Sequence, residues 1–599
     1  MKLKVVNLLL VASMLLLLAP IAMAQGGDVT AKKPYKIAFV DCLNTTVFWL
    51  SMENAMKGRA KELGVDLTVV APSRADVTEQ TGLIEDLIQK GIQGLVLGTC
   101  DSKGIVPAVE KANAAGIPVI AVDTAIDGGK IASLIQTNNI KGAEMAAEYI
   151  AQDLKGKGKV LVIDGNLVHQ TGRDRARVGS YLKEKYPDIK VVQQPGNWTQ
   201  AEGMAVAENV LTANPDVNWI FTAADPMAMG ALQAVQAAGL QGKVKIMSFD
   251  ANPESLDAIK KGTMHAEIAQ YPKKMGQLGV EMMVRLLNGE TIPEKIDTGT
   301  GLVTPDNLAM FTMTPAEELK PAKPYKIAFV DCLNTTVFWI SMEDAMKARA
   351  KNLGVDLTVV APSRADVTEQ TGLIEDLIQK KVEALILGTC DSKGIVPVVE
   401  KANAAGIPVI AVDTAIDGGK IASLIQTNNI KGAEMAAEYI AQDLKGKGKV
   451  LVIDGNLVHQ TGRDRARVGS YLKEKYPDIK VVQQPGNWTQ AEGMAVAENV
   501  LTANPDVNWI FTAADPMAMG AIQAVQAAGL QGKVKIMGFD ANPESIDAIK
   551  KGTMHAEIAQ YPKKMGSVGL DMAVRVLNGE QIPATYDTGT GLITPADVK

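Results

Sequence analysis

The strongest constraint on this chain is an internal repeat that spans almost half of its length. Residues 34–42 (PYKIAFVDC) recur as residues 324–332, an offset of 290 positions (324 minus 34), and the match continues to the carboxyl terminus. Solenoid repeats have periods of about 20–50 residues, so a period this long predicts copies that each fold as a unit. The copies are assigned to residues 33–312 and 323–599. The polar, proline-containing residues 313–322 between them are predicted to be a linker.

The amino terminus has the pattern of a secretory signal peptide. Two lysines precede a mostly apolar run over residues 5–24, which ends in the small-residue sequence Ala-Met-Ala. An uncleaved membrane anchor is the alternative, because about 20 apolar residues can span a bilayer. Pro20 and the Ala-x-Ala ending favour cleavage, so residues 1–24 are predicted to be a signal peptide and the mature chain to be periplasmic.

Composition limits the class of protein and its partners. Lysine and arginine together number 61 against 67 aspartate and glutamate residues, which gives a formal net charge of -6 without a long block of one sign. Because a basic patch is the usual footprint of nucleic-acid binding, no nucleic-acid partner is predicted. Hydrophobic residues make up 47% of the chain, which indicates folded domains rather than disorder.

Within one copy, short β-branched runs alternate with amphipathic helical patterns, which predicts βαβ units and parallel sheets. Strands are predicted at residues 36–41, 66–71, 94–98, 118–123, 131–137, 159–164, 189–194, 219–223, 245–250 and 265–270. The predicted fold class is α/β, with two tandem copies, each of two doubly wound parallel-sheet lobes joined by a hinge. Ligands of such sheets bind beyond the carboxyl ends of the strands, so the cleft between the lobes is the expected site.

Aromatic residues are scarce, at 4% of the chain, and three of them follow predicted strands. Phe48 and Trp49 come after the first strand, in a loop that also holds Asn44 and Thr46, and Trp198 follows a strand of the other lobe. Flat rings at a cleft can stack on the C–H faces of a sugar. The alternative is structural, with Thr46 as a helix cap and both rings packed in the first turn.

Polar side chains stand at other strand ends. Asp123 and Asp250 each end a predicted strand, and their carboxylates can accept hydrogen bonds from two hydroxyls at once. Gln270 ends a third strand. A helix cap or turn former is the alternative for Asp123. Asp225 is interpreted as a helix cap, because Pro226 follows it and a helix begins there.

Three arginines occupy the helix that follows the strand at residues 159–164. Arg173 and Arg175 are interpreted as a solvated basic face, and the pattern alone leaves the same alternative open for Arg177. One arginine beside two aspartates suits a neutral, hydroxyl-rich ligand better than an anion, because donors and acceptors are supplied without surplus positive charge.

Enzymatic and DNA-binding functions lack their usual motifs. The chain has no G-x-S-x-G, H-E-x-x-H or complete phosphate-binding loop, so no catalytic activity and no cofactor are predicted. It has no C-x-x-C pair, and His169 and His265 lack ligand spacing, so no metal site is predicted. A sugar-responsive repressor is disfavoured by the signal peptide and by the absence of a preceding DNA-binding helical module.

Each copy resembles the ribose-binding-protein family of periplasmic sugar-binding proteins along essentially its whole length. The resemblance is carried by the strings IAFV (37–40), FW (48–49), NAAGIPVI (113–120), LTANPDV (211–217), FD (249–250) and IAQ (268–270). It implies a ligand site formed by Thr46, Phe48, Trp49, Asp123, Arg177, Trp198, Asp250 and Gln270. Asn44, two positions before Thr46, is added to this predicted site. In the second copy the same positions are Asn334, Thr336, Phe338, Trp339, Asp413, Arg467, Trp488, Asp540 and Gln560.

Three positions depart from the ribose-binding pattern. Thr124 stands where ribose binders have a second ligand-binding arginine, Ala224 where they have an asparagine, and Cys42 where they have a serine. The resemblance therefore implies a roomier and less polar pocket, suited to a hexose, an inositol-like polyol or a furanose signalling molecule. The corresponding residues of the second copy, Thr414, Ala514 and Cys332, are unchanged, so both sites are expected to take the same ligand.

The same fold makes neighbours of the strands that lead into Cys42 and Cys100. A disulfide in each copy, the second between Cys332 and Cys390, and free thiols are both left open. The function implied by the resemblance is an extracytoplasmic binding protein that closes on a small neutral sugar or polyol and delivers it to the membrane permease of an ABC-type importer. A sensory protein that presents the ligand to a chemoreceptor is the alternative.

Overall fold

In the part of the chain that the structure describes, four six-stranded sheets carry the fold, two in each half. The computed structural model describes residues 29–598, and the chain divides into two units between Thr312 and Met313. The predicted signal peptide, residues 1–24, lies outside the described residues. Within residues 29–598, no helix is both long enough and apolar enough to cross a bilayer.

The first sheet of the first unit has the strand order β11-β5-β4-β3-β1-β2, all parallel. Its strands are β1 (Lys36–Val40), β2 (Asp66–Val70), β3 (Gly94–Leu97), β4 (Val119–Val122), β5 (Ser133–Gln136) and β11 (Lys295–Asp297). Its helices are α1 (Val47–Leu63), α2 (Val77–Gln89), α3 (Val106–Ala114) and α10 (Pro272–Leu287). This sheet and these helices form lobe 1. Because helices cover both of its faces, β3 and β4 are buried along their whole length.

The second sheet has the order β12-β10-β9-β8-β6-β7, in which only the β10–β12 pair is antiparallel. Its strands are β6 (Gly158–Asp164), β7 (Ile189–Pro195), β8 (Trp219–Thr222), β9 (Lys245–Asp250), β10 (Ala266–Ala269) and β12 (Gly301–Val303). Its helices are α4 (Asn139–Asp153), α5 (Gln170–Arg175), α6 (Arg177–Lys185), α7 (Gln200–Ala213), α8 (Asp225–Ala237), α9 (Pro253–Lys260) and α11 (Ala309–Thr312). Together they form lobe 2.

The chain crosses between the lobes three times, after β5, after β10 and between β11 and β12. Each lobe has a core of its own. In lobe 1, α1 and α10 pack so closely that a Cβ on Gly276 would stand 2.3 Å from the carbonyl oxygen of Met52. In lobe 2, Trp219, Phe221 and Phe249 are fully buried in one apolar cluster. The predicted fold class, α/β with two doubly wound lobes in each copy, is confirmed.

The second unit repeats this architecture. Its sheets have the orders β14-β13-β15-β16-β17-β23 and β19-β18-β20-β21-β22-β24. Its strands are β13 (Lys326–Val330), β14 (Asp356–Val360), β15 (Ala384–Leu387), β16 (Val409–Val412), β17 (Ser423–Gln426), β18 (Gly448–Asp454), β19 (Ile479–Pro485), β20 (Trp509–Thr512), β21 (Lys535–Asp540), β22 (Ala556–Ala559), β23 (Thr585–Asp587) and β24 (Gly591–Ile593). Its helices are α12 (Val337–Leu353), α13 (Val367–Gln379), α14 (Val396–Ala404), α15 (Asn429–Asp443), α16 (Gln460–Arg465), α17 (Arg467–Lys475), α18 (Gln490–Ala503), α19 (Asp515–Ala527), α20 (Pro543–Lys550) and α21 (Pro562–Leu577).

The segment 313–322, expected to be a linker, packs onto the second unit instead. Leu319 is 4% exposed and lies in the apolar core of that unit. Arg349 donates a hydrogen bond to the carbonyl oxygen of Ala316 at 2.6 Å. Val29, 290 positions before Leu319, is buried in the corresponding core of the first unit. Residues 313–322 therefore form the first segment of the second unit, packed on its core, and are called the strap below.

Candidate ligand-binding cleft

A buried arginine organises the polar groups of lobe 2. Arg175, the last residue of α5, is 4% exposed. Its Nε donates to Asn139 Oδ1 at 2.9 Å, and one terminal nitrogen donates to the carbonyl oxygen of Ala223 at 2.8 Å and to Asp250 Oδ1 at 3.1 Å. Gln270 Nε2 donates to the same Asp250 oxygen at 2.7 Å. The ends of β8, β9 and β10 are thus joined by one hydrogen-bonded network.

Aromatic rings flank this arginine. The guanidinium carbon of Arg175 lies 4.1 Å from the ring centroid of Phe249 and 5.7 Å from that of Trp198. A cation over an aromatic face is attracted by the ring quadrupole, more strongly where water is excluded. These contacts hold the guanidinium in the buried site at a fixed orientation.

Arg177, which the sequence analysis assigned to the site, lies elsewhere. It begins α6, its side chain is 30% exposed, and it donates to Glu184 at 2.8 Å and to Glu144 at 3.4 Å. Side chains two positions apart on a helix point in different directions, so Arg175 and Arg177 do not share a face. The structure does not bring Arg177 together with the other predicted site residues. Arg175 was expected on a solvated face, and this expectation is wrong, because Arg175 is buried in contact with Asp250 and Trp198.

Asp123 approaches from lobe 1. It follows β4 with φ 65 and is 7% exposed, and its Oδ2 accepts a hydrogen bond from Thr124 Oγ1 at 2.8 Å. Its Oδ1 is buried and has no hydrogen-bond partner among the described residues. Asp250 also has a positive φ, 125. Non-glycine residues in this region cost about 1–3 kcal/mol each and cluster at functional sites.

Burial controls the charge of these carboxyl groups. It raises the pKa of Asp123 to about 6, although the positive charge of Arg175 and the bond from Thr124 oppose the shift. It raises the pKa of Asp250 as well, again against the charge of Arg175. Arg175 therefore offsets part of the effect of burial on both carboxyl groups.

Two further buried carboxyl groups lie behind Asp250. Burial and the charge of Asp250 raise the pKa of Asp225 to about 7, and burial beside Asp225 raises that of Glu267. Asp225, predicted as a helix cap, does not cap α8, whose N-cap is Ala224 without a side-chain bond. Its Oδ2 instead accepts a hydrogen bond from the amide of Asn252 at 2.7 Å, because its side chain points into the lobe.

Of the predicted site residues after β1, Thr46 and Phe48 have the structural roles given above as the alternative to ligand binding. Thr46 caps α1 by accepting from the amide of Trp49 at 3.5 Å, and Phe48 is buried in the lobe 1 core. Trp49 is half-buried, and its ring covers Gly98, where a Cβ would stand 2.5 Å from it. Asn44 is exposed in the loop.

Trp198 is held by a histidine that the sequence analysis considered only as a metal ligand. Trp198 has φ 72, and its ring lies over Gly165, where a Cβ would be 2.0 Å from it. Its Nε1 donates to Nδ1 of His169 at 2.7 Å. The other ring nitrogen of His169, Nε2, contacts the carbonyl oxygen of Cys100 in lobe 1. Because this contact joins distant parts of the chain, no local pattern indicated it.

Other contacts also join the two lobes of the first unit. Arg173 forms an ion pair with Asp127 at 2.9 Å. The amide of Gln170 donates to Ser102 Oγ at 3.0 Å, and the hydroxyls of Thr124 and Thr171 are 3.3 Å apart. The lobes are therefore closed against each other around the residues described above.

Both cysteine pairs are disulfide-bonded, which decides between the two alternatives left open by the sequence. The Cα atoms of Cys42 and Cys100 are 4.8 Å apart, and so are those of Cys332 and Cys390. Each bond joins the loops that follow two neighbouring strands, β1 and β3 in the first unit. The disulfide thus fixes the loop of Trp49 against the loop that His169 contacts.

The second unit repeats the site residue by residue. Arg465 Nε donates to Asn429 at 2.9 Å and a terminal nitrogen donates to Asp540 at 3.2 Å, while Gln560 donates to Asp540 at 2.6 Å. The remaining predicted positions behave as in the first unit. Asp413 accepts a hydrogen bond from Thr414, the ring of Trp488 lies over Gly455, and Thr336 caps α12. Phe338 is buried, Trp339 is half-buried, Asn334 is exposed, and Arg467 pairs with Glu474. Arg467, like Arg177, is thus not brought together with the other predicted site residues.

The chain is similar to proteins of one family. A family model described as periplasmic binding protein domain matches residues 37–291 and again residues 327–581. The ribose import binding protein of Bacillus subtilis is 32% identical over 306 residues, which cover 50% of this chain and 99% of that protein. The D-allose-binding periplasmic protein of Escherichia coli is 34% identical over 257 residues, 41% of this chain and 83% of that protein. The crystal structure of an ABC transporter periplasmic solute binding protein from Actinobacillus succinogenes with bound D-allose matches with a TM-score of 0.44 and 33% identity, over 46% of this chain and 99% of that one.

Proposed function

The chain belongs to the periplasmic binding protein domain family, with one family domain in each half, and from this premise we propose that each half binds one neutral sugar or polyol. The ligand is captured between the lobes, and the closed form delivers it to the membrane permease of an ABC-type importer outside the cytoplasm. Binding involves no chemical conversion. The relatives reported above are named for ribose import and for D-allose binding, which supports a monosaccharide as the ligand class.

The observation that carries this proposal is the set of unsatisfied acceptors around Arg175. Oδ1 of Asp123 and Oε1 of Gln270 are buried and have no partner among the described residues. Buried acceptors without a partner are costly, and hydroxyl groups are the donors that a sugar supplies. The charge of Arg175 is opposed by Asp123 and Asp250. This balance favours a neutral ligand over an anion.

The size of the ligand follows from short side chains in the cleft. Thr124 and Ala224 are 3% and 6% exposed. The resemblance to ribose binders implies longer polar side chains at these two positions in those proteins. The small volume of Thr124 and Ala224 leaves room for a ring substituent beyond those of a pentose. We therefore place a hexose, or a polyol of similar size, ahead of ribose.

Delivery to a membrane partner is supported by apolar residues at the edge of each lobe. Val47 and Leu50 are 50% and 41% exposed on the first turn of α1, just after β1. Leu167 and Val168 are 50% and 44% exposed in the loop after β6. Each pair follows the carboxyl end of a strand, and exposed apolar patches are typical of protein interaction sites. A partner that contacts both sets would distinguish the closed form from the open one.

The test is isothermal titration calorimetry of the mature chain with D-ribose, D-allose, D-tagatose, D-fucose and myo-inositol. We expect heat with at least one of them and a stoichiometry of two per chain. Replacing Asp123 and Asp413 together with Ala should abolish the heat. Replacing Asp216 and Asp506, exposed partners of surface lysines, is the matched control and should leave it unchanged. No heat with any of the five ligands would overturn the proposal.

A further inference from the structure

His169 occupies a junction between the two lobes. It lies in the loop between β6 and α5, and its ring lies edge to edge with that of Trp198, with centroids 5.8 Å apart and planes inclined by 21°. Nδ1 receives the indole N–H of Trp198 at 2.7 Å, and Nε2 contacts the carbonyl oxygen of Cys100 across the cleft. One side chain therefore touches a cleft tryptophan of lobe 2 and the backbone of lobe 1 at once.

These two contacts specify the protonation state of His169. The indole N–H of Trp198 can only donate, so Nδ1 must be free of a proton. The carbonyl oxygen of Cys100 can only accept, so Nε2 must carry one. A neutral imidazole in this single tautomer satisfies both contacts, and a protonated imidazole would lose the bond from Trp198.

The surroundings of His169 favour the neutral form. Burial lowers its pKa most, and the positive charges of Arg173 and Arg175 on α5 lower it further. The contact with Cys100 and the charge of Asp101, both in lobe 1, oppose this. The groups that face the ring from both lobes therefore leave it with a pKa below that of an exposed histidine.

The second unit contains the same junction. Trp488 Nε1 donates to His459 Nδ1 at 2.7 Å, and the ring centroids are 5.9 Å apart with planes inclined by 22°. His459 Nε2 contacts the carbonyl oxygen of Cys390. Burial again lowers the histidine pKa, with Arg463 in the same direction and Asp391 opposed.

We propose that His169 is a positioning residue that holds the two lobes together and fixes the cleft tryptophan only when the cleft is closed, and that His459 does the same in the second unit. This pair of histidine contacts is called the latch below. The proposal rests on the proposed function, because it describes how that same site closes on its sugar. Its Nε2 bond crosses the lobes, so opening the cleft breaks it. Trp198 has a positive φ and depends on Nδ1 as the partner of its indole N–H. Closure and ring placement are therefore coupled through one imidazole.

The coupling makes sugar binding sensitive to pH. Opening of the cleft removes the lobe 1 surface that covers His169, so its pKa should approach about 6.5, the value of an exposed histidine. Because the closed form holds it neutral, binding below that pKa must release a proton. The apparent Kd should then rise by up to about tenfold for each pH unit below 6.5, by proton linkage.

The experiment uses the full mature chain with the second site silenced by Asp540→Ala, and calorimetry with D-allose and the other four ligands from pH 5 to 8. His169→Gln and His169→Asn are neutral throughout this range, so both should lose the component of the pH slope that His169 contributes. At pH 8, loss of a hydrogen bond should weaken binding roughly two- to tenfold. The longer Gln, whose amide donor can reach Cys100, should retain more affinity than Asn.

The matched control is His265→Gln. His265 stacks edge-on against Trp219 in the same lobe, just before β10 and at the opposite end of the sheet, and burial lowers its pKa as well. This variant should keep the wild-type pH slope. Asp123 and Asp250 titrate in all these proteins, so the difference between profiles isolates His169. Parallel profiles for wild type and His169→Gln would overturn the proposal.

A ligand-independent measurement separates this inference from the proposed function. Nitrogen-15 spectra of the histidine rings, assigned by the loss of signals in His169→Asn, report tautomer and pKa directly. If no sugar gives heat but His169 in the ligand-free chain is an Nε2–H tautomer with a depressed pKa, the cleft is closed without ligand. The sugar proposal then fails, while the contact of His169 with both lobes stands. A mixed tautomer with an ordinary pKa, in the ligand-free and in any sugar-saturated protein, would overturn the latch.

Discussion

Replacing Arg175 with Ala should destabilise the first unit severely. The change removes the donor of three hydrogen bonds and leaves Asp250 buried without its charged partner. Breaking a buried ion pair by removing one member costs about 3–5 kcal/mol. Because Arg175 is the main group that lowers the pKa of Asp123 and of Asp250, both pKa values should rise in the variant. Sugar binding to this unit should be lost.

Differential scanning calorimetry of the mature chain measures the effect. At about 2–4 °C per kcal/mol for a domain of this size, the affected unit should melt roughly 6–20 °C lower, while the second unit keeps its transition. Arg177→Ala is the matched control, because that side chain forms its ion pairs with glutamates that are 39% and 53% exposed. Its thermogram should resemble the wild type. Equal shifts for the two variants, or none for Arg175→Ala, would refute the assignment of Arg175 to the site.

Three other changes test separate parts of the structure. Asp123→Asn should raise the free energy of unfolding at pH 7 by about 2–3 kcal/mol. The pKa of Asp123 is raised from 3.8 to about 6, so the wild-type protein loses stability as the pH rises from about 4 to about 6, and the neutral Asn avoids this loss. Urea titrations at pH 4 and 7 should show the higher stability of the variant only at pH 7. Gly98→Ala should displace the tryptophan ring above it and weaken sugar binding in calorimetry, whereas Gly58→Ala, which meets no neighbour and matches Ala348 of the second unit, should not. Reduction of the Cys42–Cys100 disulfide by a dithiol, or its replacement by two serines, should lower stability by about 2–4 kcal/mol, and an unchanged melting temperature would contradict that bond.

The repeat and the alternation of strands and helices were sufficient to predict the fold. Both depend on local pattern and on rules for parallel sheets, which do not require knowledge of individual contacts. The same rules placed Asp123, Asp250 and Gln270 at strand ends near the cleft, where the structure brings Asp250 and Gln270 into contact. Thr46 and Phe48 followed the structural alternative, as cap and core residue.

The sequence could not predict features that depend on the direction of a side chain or on contacts between distant segments. Arg175 and Arg177 differ only in which face of a short, broken helix they occupy, since α5 ends at Arg175 and α6 begins at Arg177. His169 is defined by partners 29 and 69 positions away. The strap at residues 313–322 looked like a linker because its composition is polar, and its contacts with the apolar core are made by Leu319 and Met313.

The most direct test is a crystal structure of the mature chain grown with whichever of the five ligands releases the most heat. The account predicts one sugar ring between the lobes of each unit, with hydroxyl groups on Oδ1 of Asp123 and Oε1 of Gln270 and with Trp198 against a face of the ring. Density for the sugar outside these clefts, or clefts that are closed and empty at saturating ligand, would contradict it.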